Sequence, residues 1–237
     1  MAPPARLPRP GVLTAFQEEV ARLLSALPEA SGFALAGGAA LILRGDVDRA
    51  TEDLDFFAPP PSQVETLLPA LRHTLPSAIT VEPVQVGNGF ARLIVRRDHD
   101  ALAVDIGIDA RIRPVDRSPL GPVLAGEELA GDKLLALFGC AEPRDFVNVA
   151  ALEPRYGLEG MCRSALEKDR GFRRDVLGAM LERFDRLSPA DFGVDVVRYS
   201  AIQRAVQRWR TELAAGPTEP HRWPRRHGPG PDTSAGL

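Results

Sequence analysis

Asp53 and Asp55 stand two positions apart in the run Asp-Leu-Asp-Phe-Phe, where polar and apolar residues alternate. In a strand, residues i and i+2 point to the same face, so both carboxylates project together while Leu54 and Phe56 back them from the other side. Such a pair, about 5 to 6 Å apart and partly shielded, repels by a few kcal/mol at an intermediate effective dielectric. A divalent cation relieves the conflict. Carboxylate oxygens suit Mg2+, which takes one or two protein carboxylates and fills its octahedron with water and substrate phosphates. Taken alone, the pattern is equally that of an exposed strand edge, so its neighbours matter. Gly37 and Gly38 lie between a short apolar run and a short apolar helix, where absent Cβ atoms let a phosphate approach backbone N–H groups. A tight turn is the plainer reading of two glycines. In the segment from Ala101 to Asp109, Leu102, Val104, Ile106 and Ile108 share one face, leaving Asp105 on the other between Ala103 and Gly107. If this strand pairs beside the first, three carboxylates converge, as a two-metal phosphoryl-transfer site requires. Asp109 is nearer the strand end and ranks below Asp105. Lys133 has Leu129 and Leu137 as its i−4 and i+4 neighbours, so a cation projects from an apolar helix face. It either snorkels or neutralises phosphate charge in a cleft.

The elements that must hold these groups follow from periodicity. Phe16, Val20, Leu23, Leu24 and Leu27 predict an amphipathic helix over Leu13 to Leu27. A short strand over Phe33 to Ala36, a glycine turn and a helix ending near Arg44 and Gly45 come next. The Asp53 strand leads to a proline-opened helix reaching about Leu75. Three strand-like runs, separated by Gly87-Asn88-Gly89 and Asp98-His99-Asp100, predict an antiparallel meander. From Gly126 onward the pattern is helical. The expected fold is α+β, with a small mixed sheet over 12–115 and a helical domain over 122–215. Residues 1–11 and 216–237, rich in proline, glycine and arginine, are expected to be disordered.

Composition narrows the partners. The 237 residues are 44% hydrophobic and 26% charged, an ordinary globular balance, with a formal net charge of −3 that gives no global pull toward nucleic acid. RNA binding would need a local patch, for which Arg111, Arg113 and Arg117 in RIRPVDR and Arg222, Arg225 and Arg226 in RWPRRH are candidates, against a plainer reading as solvated faces or tails. No run is long enough to span a bilayer, the start does not read as a secretory signal, and Cys140 and Cys162 are too few for a disulfide framework. A cytoplasmic location is expected. The four histidines lack metal-ligand spacing, which argues against zinc or Ser-His-Asp chemistry.

Two glycines, a short helix and an Asp-x-Asp strand resemble the polymerase-beta-type nucleotidyltransferases. The strings RATEDLDFF and ELAGDKLLALFGCAEPRDFVNVAAL narrow this to the AbiEii/AbiGii-like nucleotidyltransferase toxin family, over roughly residues 15 to 185. The resemblance implies an N-terminal nucleotidyltransferase domain followed by a C-terminal helical domain. It implies that Gly37 and Gly38 hold nucleotide phosphates, that Asp53, Asp55 and Asp105 bind Mg2+ or Mn2+, and that Arg49, Thr51 and Lys133 meet the triphosphate. Arg144 and Asp145 match the family's arginine–aspartate pair, but Asn148 replaces an aspartate three residues on. The implied reaction moves an NMP from an NTP to an acceptor, an RNA such as a tRNA 3′ end, in the toxin of a toxin–antitoxin or phage-defence system restrained by an antitoxin. A small-molecule, antibiotic-type nucleotidyltransferase is the alternative. So is a non-catalytic nucleotide-binding relative, because asparagine cannot act as a carboxylate base.

Overall fold

The computed structural model describes residues 12–216, so the disorder expected of 1–11 and 216–237 lies, Gly216 apart, outside the described residues. The first helix, α1 (Ala15–Ser25), opens on a capping box in which Thr14 and Gln17 satisfy each other's backbone N–H groups. Its apolar face buries Phe16, Val20 and Leu24. Gln17, also buried, donates its side-chain amide to the Thr51 carbonyl at 2.8 Å, fastening the helix to the chain just ahead of Asp53.

Seven strands form one mixed sheet: β1 (Ala34–Ala36), β2 (Asp53–Ala58), β3 (Thr80–Gly87), β4 (Phe90–Arg97), β5 (Asp100–Ile108), β6 (Asp116–Ser118) and β7 (Gly121–Val123), in the order β3-β4-β5-β2-β1-β7-β6. The meander β3-β4-β5 is antiparallel as the spacing predicts, its turns using Asn88 and Asp98 at positive φ. Between the meander and β1 lies β2, parallel to β5 and antiparallel to β1. Its alternation is realised: Leu54, Phe56 and Ala58 are buried while Asp53, Asp55 and Phe57 are partly exposed. The β6–β7 hairpin was not foreseen, because three-residue strands carrying Pro122 show no measurable alternation. It carries the sheet beyond residue 115, and β7 runs parallel to β1.

With α1, the helices α2 (Gly37–Leu43) and α3 (Val64–Thr74) pack on the sheet. The helical half comprises α4 (Gly126–Gly139), α5 (Pro143–Tyr156), α6 (Leu158–Lys168), α7 (Arg174–Leu181) and α8 (Val196–Ala215). Its centre is α4, which meets α5, α6 and α7 on one side and α2 on the other. Phe146, Phe184, Phe192 and Tyr199 form an aromatic knot at ring-centroid distances from 5.2 to 6.2 Å, the separations at which tilted and edge-on pairs are favourable. Trp209 is wholly buried on α8. Among the described residues no helix is long and apolar enough to cross a membrane.

A buried ammonium fastens the two halves. Lys168 Nζ, at the end of α6, lies 2.6 Å from Asp132 and 3.3 Å from Glu128, both on α4, and 2.7 Å from Asp109, just past β5. Glu128 also accepts the backbone N–H groups of Ile112 and Arg113. Burial pushes the Asp132 carboxyl up to about 6 against the pull of Lys168, whose own pKa is raised because Asp132 and Asp109 outweigh its desolvation. Between pH ~4 and ~6 the folded chain keeps a proton on Asp132 that the unfolded chain has released, so ionised Asp132 is a cost above that window, which Lys168 offsets. Lys168→Met is therefore expected to lower the unfolding free energy by about 3 kcal/mol at pH 7. The deficit should shrink as pH falls through about 6. Urea unfolding at pH 7 and pH 5 measures both, and equal deficits would contradict this account.

Candidate active site

The site is built where β1 ends and α2 begins. Ala36 pairs directly with Asp55, and the next residue, Gly37, turns at φ +58°. A Cβ on Gly37 would sit 1.7 Å from Asp55 Oδ2; on Gly38 it would sit 2.6 Å from Thr51 Oγ1 and 2.8 Å from Arg49 Nη2. Both positions therefore require glycine. The space their side chains would take is occupied by the groups expected to do chemistry.

Register aligns the carboxylates. Asp55 lies opposite Asp105 across the parallel β2–β5 pair, and Asp53 precedes Asp55 on the same face. Burial, and then the charge of Asp53, pushes the Asp55 carboxyl up to about 6, while Lys133 works in the opposite direction. Among the described residues no hydrogen-bond donor reaches the Asp55 carboxylate. Asp53 differs, since the buried Thr51 hydroxyl donates to its Oδ1 at 2.8 Å. Thr51, expected at the triphosphate, is thus engaged in orienting Asp53.

Asp105 also departs from expectation. Both of its oxygens accept from Arg92 on the neighbouring strand, Nε at 2.7 Å and Nη2 at 2.5 Å. That bidentate pair already neutralises it. Among the described residues no group of three or more His, Cys, Asp or Glu is arranged to hold a metal. The donor set that suits a cation is the Asp53–Asp55 pair, two hard carboxylates of which one is desolvated and without a donor. Arg92 went unnoticed in the sequence although a signal was there. A hairpin turning at Asp98-His99 places residue 92 opposite residue 105.

The helical half contributes cations and anchors. Lys133 on α4 is half-buried and acts electrostatically on both Asp55 and Asp145. Arg49, in the loop before β2, donates Nε to Asn148 Oδ1 on α5 at 2.9 Å and Nη1 to the Ala50 carbonyl at 2.8 Å. Burial lowers its pKa, against the favourable charge of Asp53. Asp145 is buried and accepts the Glu142 backbone N–H at 3.0 Å, which caps α5. Arg144 is exposed and lies 3.3 Å from Glu142. The structure therefore brings Gly37, Gly38, Arg49, Thr51, Asp53, Asp55, Asp105, Lys133 and Asn148 together, with Arg144 and Asp145 at the margin.

A cavity of about 620 Å³ lies elsewhere, lined by Arg44, Arg113, Arg155 and Tyr156 among others. Its arginines are largely matched by carboxylates: Arg44 and Arg155 by Asp46, and Arg113 by Glu167. Arg111 donates to the Phe57 and Gly32 carbonyls. Two of the three arginines of RIRPVDR are thus occupied within the fold, and those of RWPRRH lie outside the described residues. Cys140 and Cys162 are free thiols, and burial pushes Cys162 up to about 12, where it is unreactive.

Comparison with known proteins bears on the fold and the family. Among solved structures, JHP933 of Helicobacter pylori superposes with a TM-score of 0.56 at 20% identity, over 86% of this chain and 96% of that one. A second H. pylori protein, provisionally described as a nucleotidyltransferase, gives a TM-score of 0.55 at 18% identity, over 87% and 100%. The nucleotidyltransferase toxin MenT4 of Mycobacterium tuberculosis gives 0.48 at 16% identity, over 84% and 89%. At these identities the first two establish shared fold alone. No curated protein matches the sequence. The family model described as nucleotidyl transferase AbiEii toxin, type IV toxin–antitoxin system, matches residues 20–223, and the chain therefore belongs to the AbiEii nucleotidyltransferase toxin family.

Proposed function

We propose that the chain moves an NMP from an NTP to an RNA acceptor, such as a tRNA 3′ end, as a cytoplasmic toxin held in check by an antitoxin. The observation that carries this reading is Asp55: a desolvated carboxylate beside Asp53, with no hydrogen-bond donor among the described residues and Lys133 acting on it from the helical half. Such a group is costly unless a cation completes it. A divalent cation, Mg2+ or Mn2+, held by Asp53 and Asp55 would supply Lewis-acid stabilisation of the attacking and leaving oxygens. Thr51 fixes the Asp53 carboxylate for that task. Gly37 and Gly38 make room for the Asp55, Thr51 and Arg49 side chains and offer backbone N–H groups to phosphates, and Lys133 and Arg49 balance triphosphate charge. Asp105 would serve as a third ligand, and polarise the acceptor hydroxyl, only once Arg92, whose side chain is half exposed, releases it. We further propose that 12–115 and 122–215 act as two domains that meet at this site.

Transfer of label from α-labelled NTPs into total RNA is expected in the parent and should drop about 10³-fold in Asp55→Asn, as removal of a charge-stabilising group at a reacting centre typically does. Label appearing on a small molecule instead of RNA would sink the RNA acceptor. A second expectation concerns pH. With Asp55 raised to about 6 in the metal-free chain, protons compete with the cation below that value. Apparent Mg2+ affinity should be about fourfold weaker at pH 5.5 than at pH 7.5, and the difference should vanish in Asp55→Asn. Equal affinity at both pH values in the parent would count against Asp55 as a ligand.

A further inference from the structure

Arg49 is a half-buried cation whose two hydrogen-bond acceptors are both uncharged oxygens: the Asn148 side-chain amide on Nε and the Ala50 carbonyl on Nη1. Its remaining nitrogen, Nη2, lies against Gly38, 2.8 Å from where a Cβ would be. The guanidinium is therefore clamped at two corners and turned by its third toward the glycine turn. Asn148 is only 2% exposed and sits one helical turn beyond Asp145 on α5. Because Arg49 Nε is a donor, the oxygen end of the amide must face it. The charges acting on Arg49 are those of Asp53, Asp55 and Asp145, with Arg144 opposing them.

We infer that Asn148 is a positioning residue that holds the Arg49 guanidinium beside Gly38 without neutralising it, reserving the cation for an incoming triphosphate. An aspartate has the same shape and would accept the same hydrogen bond. It would also bring a full negative charge to a buried arginine, and the triphosphate would then have to compete with a preformed ion pair. An asparagine supplies the geometry without the charge. On this account the residue that departs from the family's pattern is suited to nucleotide binding in this chain rather than a sign of lost activity. The inference rests on the reading of Arg49 as a triphosphate contact.

The test uses the full chain and measures Kd by titration and KM by turnover for each Mg–NTP, in the parent, Asn148→Asp, Arg49→Ala, Arg49→Lys and the double variant Arg49→Ala/Asn148→Asp. Asn148→Asp is expected to weaken NTP binding about tenfold and to raise KM more than it changes kcat. Arg49→Ala should weaken binding to a similar degree, and adding Asn148→Asp to it should change nothing further, since the two act through one contact. Arg49→Lys keeps the charge but loses the clamp, and should bind nearly as weakly as Arg49→Ala. Asn148→Asp binding NTP as tightly as the parent, while Arg49→Ala is weak, would overturn the inference and leave the proposed function standing. Arg49→Ala binding like the parent would remove the triphosphate contact and the inference together, as would a parent that binds no NTP. If Asn148→Asp does not fold, Arg49→Lys decides alone: parental affinity in that variant overturns positioning.

Discussion

Two like charges on one face of a strand in the middle of a sheet are the constraint around which the rest is arranged. Leu54 and Phe56 commit β2 to the core, and the two-residue repeat then obliges Asp53 and Asp55 to share the opposite face. The strand cannot move them apart, so compensation has to come from other elements. Thr51 donates to one carboxylate, Lys133 acts on the other from α4, and Arg92 takes the third acid, Asp105, out of the conflict. What stays without a hydrogen-bond donor, among the described residues, is Asp55. Glycine at 37 is part of the same solution, because any Cβ there would collide with the Asp55 carboxylate.

The helical half serves the sheet by two kinds of fastening. At Lys168 a single ammonium on α6 meets three carboxylates, two from α4 and one just past β5, which locks α4 against the sheet. At Asn148 the fastening is a neutral hydrogen bond. The difference tracks what each residue holds. A structural lock gains from full charge matching, whereas a cation meant for a ligand must be held by something that leaves its charge intact.

Much of this was legible from residue order. Alternation in the Asp53 strand, the glycine pair, the meander and the helical half all followed from periodicities that local sterics enforce, and Lys133 stood out as a charge between leucines. The misses share a cause. Arg92 and Gln17 act across pairings that no local pattern states, and the β6–β7 strands are too short for a two-residue repeat to register. Thr51 was read as a ligand contact because sequence places it beside Asp53 without showing that its hydroxyl points there. For Asp105 the face was legible but not its occupancy. Whether a carboxylate is free depends on cross-strand register, which becomes certain only when both strands are placed.

The Arg49–Asn148 bond joins residues 99 positions apart, and Lys133 likewise follows the strand it serves at long range. As the chain leaves the ribosome, the carboxylate pair and its glycine turn are made first, and the elements that balance and orient them emerge some eighty residues later. A nascent chain with a finished sheet therefore carries Arg49 and Arg92 with the acids, but neither Lys133 nor the Asn148 that orients Arg49. The site is completed only when α4 and α5 have been made and have docked on the sheet.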